Sequence, residues 1–199
     1  MRKAAMYEVI GGVQSRAFRV MWMLEELGQD YVHTPEKPRS DLVSSLNPSG
    51  KVPVFRDGDE VLTDSTAIIS YLADKHGTMT HPCGTIVRAR QEGLIHQILD
   101  EIDAVLWTGA RHTFVLPEDK RVPEVKDSLR WEFQRNVARI ADRFEGPFLM
   151  GDQIMVPDII LTHCLNWAFS AKFLHESQEL TDYAKRMRGR EAFKRALEK

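Results

Sequence analysis

About two-fifths of the way along this 199-residue chain the spacing of its apolar residues changes character. No other feature limits the possible folds so strongly. Before the change, short apolar–polar alternations trade places with stretches of helical period; after it, every apolar run has helical period. MYEVI (Met6 to Ile10) and YVHT (Tyr31 to Thr34) read as strands, and VPVF and EVLT read as the arms of a hairpin turning at Asp57-Gly58. Arg16 to Leu27, with Phe18, Met21, Trp22 and Leu24 or Leu27 inward, reads as a helix closed by Gly28. STAIISYLADKHG reads as another, capped by Ser65, with Ala67, Ile68, Tyr71 and Leu72 buried and Gly77 closing it. With a short helix before Leu46, the order is βαβαββα, containing one parallel pair and a terminal antiparallel hairpin.

Past a Gly- and Pro-bearing linker over 78–86, residues 87–199 read as a helical bundle. Its helices are expected at Arg88 to Arg111, Val125 to Phe144, Val156 to Ala171 and Leu180 to Lys199, the last with Tyr183, Met187, Phe193 and Leu197 inward. The expected fold class is therefore α/β plus all-α, a βαβαββα domain over 1–77 followed by the helical domain.

Composition narrows the function. A net charge of -2, from 27 basic and 29 acidic residues, offers no broad basic face, so neither nucleic acid nor anionic lipid is an expected partner. The two cysteines, Cys83 and Cys164, form no C-x-x-C pattern, and the seven histidines show no H-x-x-x-H spacing, so no metal site is expected. The opening MRKAAMYEVIGG is too briefly apolar for a secretory leader, and no segment approaches the ~20 apolar residues that span a bilayer. A reduced, cytoplasmic setting is expected.

Two stretches carry chemistry. NPSGKVPVF places Pro53, which has no N–H, at the start of a strand; either it is an ordinary edge proline, or a cis bond turns Val52 outward and leaves its main chain open to an extended ligand. In TDSTAI, an acid and a hydroxyl meet where the hairpin enters a helix. There Asp64 and Ser65 suit the ammonium and carboxylate of an amino acid head, or else merely cap the helix.

The residues SRAFRVMWMLEELG, NPSGKVPVF and TDSTAIISYL, followed by a helical half ending FLMGDQIMVPDIILTHCLNWA, resemble the cytosolic glutathione S-transferases over almost the whole chain. That resemblance implies a thioredoxin-like domain that binds glutathione as co-substrate and a helical domain that receives a small hydrophobic electrophile, in a homodimer without metal. It implies that Val52 pairs with the cysteinyl backbone beside a cis Pro53, that Asp64 and Ser65 hold the γ-glutamyl end, and that Lys51 meets the glycyl carboxylate. Ser15 falls where the serine-using theta and zeta types carry their catalytic serine. Tyr7 lies too early for a tyrosine-using site, and Arg16 stands close to where a bacterial cysteine-using type carries its cysteine.

Such a reaction needs a thiolate. A thiol of pKa about 8.5 must be lowered by about two units to be mainly ionised at neutral pH, which takes about 2.7 kcal/mol. A helix N-terminus gives about 0.3–1 kcal/mol and a hydrogen bond to a charged group roughly 1.5–3, so a hydroxyl is required as well as the dipole. Ser15 is that hydroxyl, unless it serves only as a cap. Trp107, Arg111 and His112 are candidates for the electrophile pocket; alternatively Trp107 is bundle core and Arg111 a favourable helix end. The helix at Val156 is expected to have half a capping box, with Met155 where the cap residue should be and Asp158 three residues on. Two other functions fit the same residues: a different glutathione-dependent reaction (isomerase, dehalogenase or peroxidase), or a non-catalytic binding or assembly module.

Overall fold

A computed structural model of the chain describes residues 7–144 and 146–199. Contacts divide the chain into two compact units, one of the residues through Thr80 together with Arg188–Lys199, the other His81–Met187.

The first unit is built on one four-stranded sheet. Strands β1 (Tyr7–Ile10), β2 (Tyr31–Thr34), β3 (Val54–Asp57) and β4 (Glu60–Thr63) lie in the order β2-β1-β3-β4. β1 runs parallel to β2, with Tyr7 opposite Tyr31, and antiparallel to β3, with Val9 opposite Phe55; β3 and β4 close antiparallel with Asp57 opposite Glu60. This is the expected order of elements, and Met6 of the expected first strand lies outside the described residues. The hairpin turns one residue later than expected, at Gly58 and Asp59, because Asp57 stays in the ladder, held by the Tyr71 hydroxyl and the Lys75 ammonium.

Helices α1 (Ala17–Leu27), α2 (Asp41–Leu46) and α3 (Ser65–His76) connect or follow these strands. Every residue of α1 from Ala17 to Leu24 is buried, Arg19 included, because α1 packs against both α3 and the C-terminal helix of the chain. On α3 the buried residues are Ser65, Ile68, Ile69, Leu72 and Ala73. Ala67 and Tyr71, expected inward, are exposed, and Tyr71 turns its hydroxyl to Asp57 instead.

The second unit contains a long helix, α4 (Ile86–Ile98), that continues through a π-turn at Leu99–Asp103 into α5 (Ala104–Ala110) and a second π-turn at Arg111–Val115. Helices α6 (Val125–Ala141), α7 (Val156–Ser170) and α8 (Gln178–Arg188) follow. The buried Asp158 in the first turn of α7 accepts hydrogen bonds from the Met155 N–H at 2.8 Å, the Leu149 N–H at 2.9 Å and the Tyr183 hydroxyl at 2.8 Å. The half of the capping box that depends on Asp158 is thus present, and Met155, which lacks a capping oxygen, is instead buried. No helix is long and apolar enough to cross a membrane among the described residues.

The expected helix from Leu180 to Lys199 is two helices. It breaks at Gly189, and α9 (Glu191–Leu197) belongs to the first unit, so the helical domain does not extend to residue 199. The cause lies in the side chains. Phe193 packs edge-on against Phe18 and Trp22 with ring centroids 4.9 Å from each, while Arg190 makes a two-pronged bond to Glu26 at 2.6 and 2.8 Å. Leu197, expected inward, is exposed.

Candidate functional site

The segment leaving β1 turns at Gly11, whose φ of +136° is costly for any residue with a side chain. Space forbids one as well: a Cβ there would stand 2.9 Å from the Cβ of Val52 and 3.0 Å from the Cβ of Ala17. Gly11 therefore brings the start of α1 against Val52. Its N–H donates to the Thr34 carbonyl at 2.9 Å, and its carbonyl is 2.9 Å from Nε2 of His33.

Ser15 lies half-buried just before α1. Its hydroxyl donates to the Gly12 carbonyl at 2.7 Å and accepts from the Ala17 N–H at 3.1 Å, while its carbonyl accepts from the Phe18 N–H at 3.1 Å. It thus caps the first turn, and its hydroxyl proton rests on Gly12.

On the other side, the turn before β3 is organised by Asn47. Its side chain accepts from the N–H and hydroxyl of Ser49 at 3.2 and 2.8 Å and donates to the Lys51 carbonyl at 2.9 Å. The Val52–Pro53 bond is cis. Among the described residues neither the N–H nor the carbonyl of Val52 has a hydrogen-bond partner, and the Lys51 ammonium is exposed without an ion pair.

At the start of α3 the capping residue is Asp64, not Ser65. Asp64, at φ 70°, accepts from the N–H groups of Thr66 and Ala67 at 2.8 and 3.1 Å through one oxygen. Ser65 is the first helical residue, and its buried hydroxyl accepts from Nη1 of Arg19 at 3.3 Å. Because Ser65 accepts here, its own proton is available to donate. Ser15, Val52 and Ser65 are thereby linked through Gly11 and α1. Arg19, His33 and Asn47 support them and were missed in the sequence, since an arginine inside an amphipathic stretch and a histidine on a short strand carry no pattern of their own.

The helical candidates sit at the end of the long helix. Trp107 is half-buried on α5; Nη2 of Arg111 donates to Thr108 Oγ1 at 3.1 Å; Nδ1 of His112 accepts from the Val122 N–H at 3.0 Å. Two clefts of this unit, of about 640 and 590 Å³, are lined by other residues. No group of three or more His, Cys, Asp or Glu side chains able to hold a metal ion occurs among the described residues.

The family profile described as the N-terminal domain of glutathione S-transferase matches residues 15–80, the stretch that holds Ser15, Lys51, Val52, Asp64 and Ser65. Rat glutathione S-transferase theta-2 is 31% identical over 134 residues, 61% of this chain and 52% of its own length. Residues 15–80 form a glutathione S-transferase N-terminal domain. Against the first curated relatives the match spans 50–61% of their length. Solved glutathione transferases have the same fold over the whole chain. That of Methylococcus capsulatus superposes with a TM-score of 0.82 at 25% identity, covering 96% of this chain and 97% of its own. The theta-class enzyme of Xanthomonas axonopodis pv. citri, solved with glutathione bound, gives a TM-score of 0.81 at 22% identity, covering 97% of each chain.

Proposed function

We propose that this chain is a glutathione S-transferase that binds glutathione along Val52 and directs its thiolate at a small hydrophobic electrophile. The observation that carries the proposal is the close approach at Gly11, which sets the Ser15 turn against the unpaired main chain of Val52. In this reading the cysteinyl backbone of glutathione pairs with Val52, as an added strand does. The γ-glutamyl carboxylate takes the Ser65 hydroxyl, the ammonium takes the oxygen of Asp64 that is not capping α3, and the glycyl carboxylate faces Lys51.

The thiol loses its proton to solvent because the anion is held better than the acid. The N–H groups of Ala17, Phe18 and Arg19 already bond within the turn, so direct donation to sulfur falls to Ser15. Its hydroxyl would swing from the Gly12 carbonyl to the sulfur, giving up a neutral bond of about 1 kcal/mol for a charged one of roughly 1.5–3. That exchange gains about 0.5–2 kcal/mol, and the helix dipole adds about 0.3–1, up to ~2 when partly buried. The sum reaches the ~2.7 kcal/mol needed only if both act. The Ala17 N–H remains on the Ser15 oxygen and polarises its O–H, which strengthens the donor. The thiolate then attacks the electrophilic carbon, a C–S bond forms, and the leaving group departs with the bonding pair. Trp107, Arg111 and His112 are the proposed contacts of the electrophile, and the working form is proposed to be a cytoplasmic homodimer.

Incubating the protein with glutathione and an activated aryl halide should yield the thioether, identified by mass, and Ser65→Ala should weaken glutathione binding by roughly tenfold or more, the value of one charged hydrogen bond. Glutathione bound without thioether from any electrophile would refute the transferase reading.

A further inference from the structure

The candidate electrophile contacts all lie downstream of the π-turn at Leu99–Asp103, where the Ala104 N–H reaches back five residues to the Leu99 carbonyl. A π-turn carries one residue more than an α-turn, and one residue corresponds to about 100° of rotation about the helix axis. The direction in which Trp107 and Arg111 face therefore depends on whether this turn keeps its extra residue.

A side-chain clamp from α6 holds the turn. Asn136 is 2% exposed, and its Nδ2 donates to the Glu101 carbonyl, in the middle of the π-turn, at 2.8 Å. Its Oδ1 accepts from Nη2 of Arg139 at 2.8 Å, and the same nitrogen lies 2.9 Å from Oε2 of Glu101, which also accepts from Gln97 at 3.1 Å. Asn136, Arg139 and Glu101 close a ring at the turn, and Gln97 joins it as a second donor to the Glu101 carboxylate. Burial pushes the Glu101 carboxyl up, but the Gln97 and Arg139 bonds outweigh it and hold the group below its ordinary range, so it stays charged and keeps Arg139 in place. A buried amide satisfied at both ends has one orientation, and so does the backbone it grips.

We infer that Asn136 is a positioning residue for the electrophile: by holding the Glu101 carbonyl it fixes the rotational setting of Trp107 and Arg111. This rests on the transferase reading and adds to it a residue that touches neither substrate. Asn136→Asp keeps the shape and loses the donor. The measurement is the ratio of kcat/KM for two electrophiles of different shape, with glutathione KM alongside. The ratio is expected to shift on the order of tenfold, the scale of a small misplacement of contacting groups, while glutathione KM stays within about twofold. A merely structural role would lower activity toward both electrophiles together and leave the ratio unchanged, which would overturn the inference. Should Asn136→Asp not fold, Arg139→Gln loosens the same clamp from its half-exposed end and carries the test by the same ratio. A parent that forms no thioether overturns the transferase reading itself, whereas an active parent whose ratio does not move overturns only the role of Asn136.

Discussion

Ser15 has a single proton to give, and it rests on the Gly12 carbonyl at 2.7 Å. In the proposed reaction that proton turns from the Gly12 carbonyl to the sulfur, while the Ser15 oxygen keeps its bond from the Ala17 N–H throughout. The residue that makes this possible is Gly11, where positive φ and a lack of room for Cβ coincide. Gly11→Ala should cost about 1–3 kcal/mol of stability, from a disallowed φ and overpacking against Val52 and Ala17, and should raise glutathione KM because Val52 must retreat. A denaturant midpoint and a glutathione titration of that variant check both parts; an unchanged KM would separate Gly11 from the site. At this scale the sequence was readable wherever chemistry depends on a local pattern. The hydroxyl, the lysine and the acid–serine pair stand in short motifs. Which of Asp64 and Ser65 caps α3 was not readable, because both can cap; the choice is made by Arg19, a residue 46 positions away that claims the Ser65 oxygen.

The least expected element is α9, and α1 explains it. Glu25 and Glu26 stand in the last turn of α1, where negative charge opposes the helix dipole, and the α1 sequence has no basic residue there to offset them. The cations come from the end of the chain: Arg190 on Glu26, Arg195 on Glu25 at 2.7 Å and Lys199 on Glu25 at 3.3 Å. Arg195 also donates to the Glu25 carbonyl at 3.1 Å, covering an open end of α1. Helical period alone ran α8 and α9 together, since Gly189 is one weak breaker and the partners of α9 lie more than 160 positions away. Burial raises the Glu25 carboxyl, but the bonds from Arg195, Lys199 and Tyr31 more than offset this and hold it below its ordinary value of 4.5. A carboxyl lowered on folding contributes stability that is complete above the unfolded value and is lost as pH falls through the folded one. Unfolding midpoints measured downward from pH 6 should therefore fall less steeply for Glu25→Gln than for the parent; equal slopes would show that the α9 clamp does not hold Glu25 charged.

For the whole molecule, the change in apolar period located the passage from sheet to helix, because a strand and a helix impose different repeats on the same core requirement. It could not show that the chain returns to its first unit, because a period reports which face is buried and not what buries it. Phe193 serves as well in a bundle as between Phe18 and Trp22. The consequence for function is that the helix bearing Ser15 at its start is fastened at its other end by residues 190–199. The central claim remains the ionisation of bound thiol by Ser15 together with the opening turn of α1. The direct measurement is the ultraviolet thiolate absorbance of bound glutathione as a function of pH, in the parent and in Ser15→Ala. The bound thiol of the parent should ionise about two units below the free value of about 8.5, and losing the hydroxyl should raise that pKa by about 0.4–1.5 units. A variant that binds glutathione and ionises it at the same pH as the parent would contradict the claim.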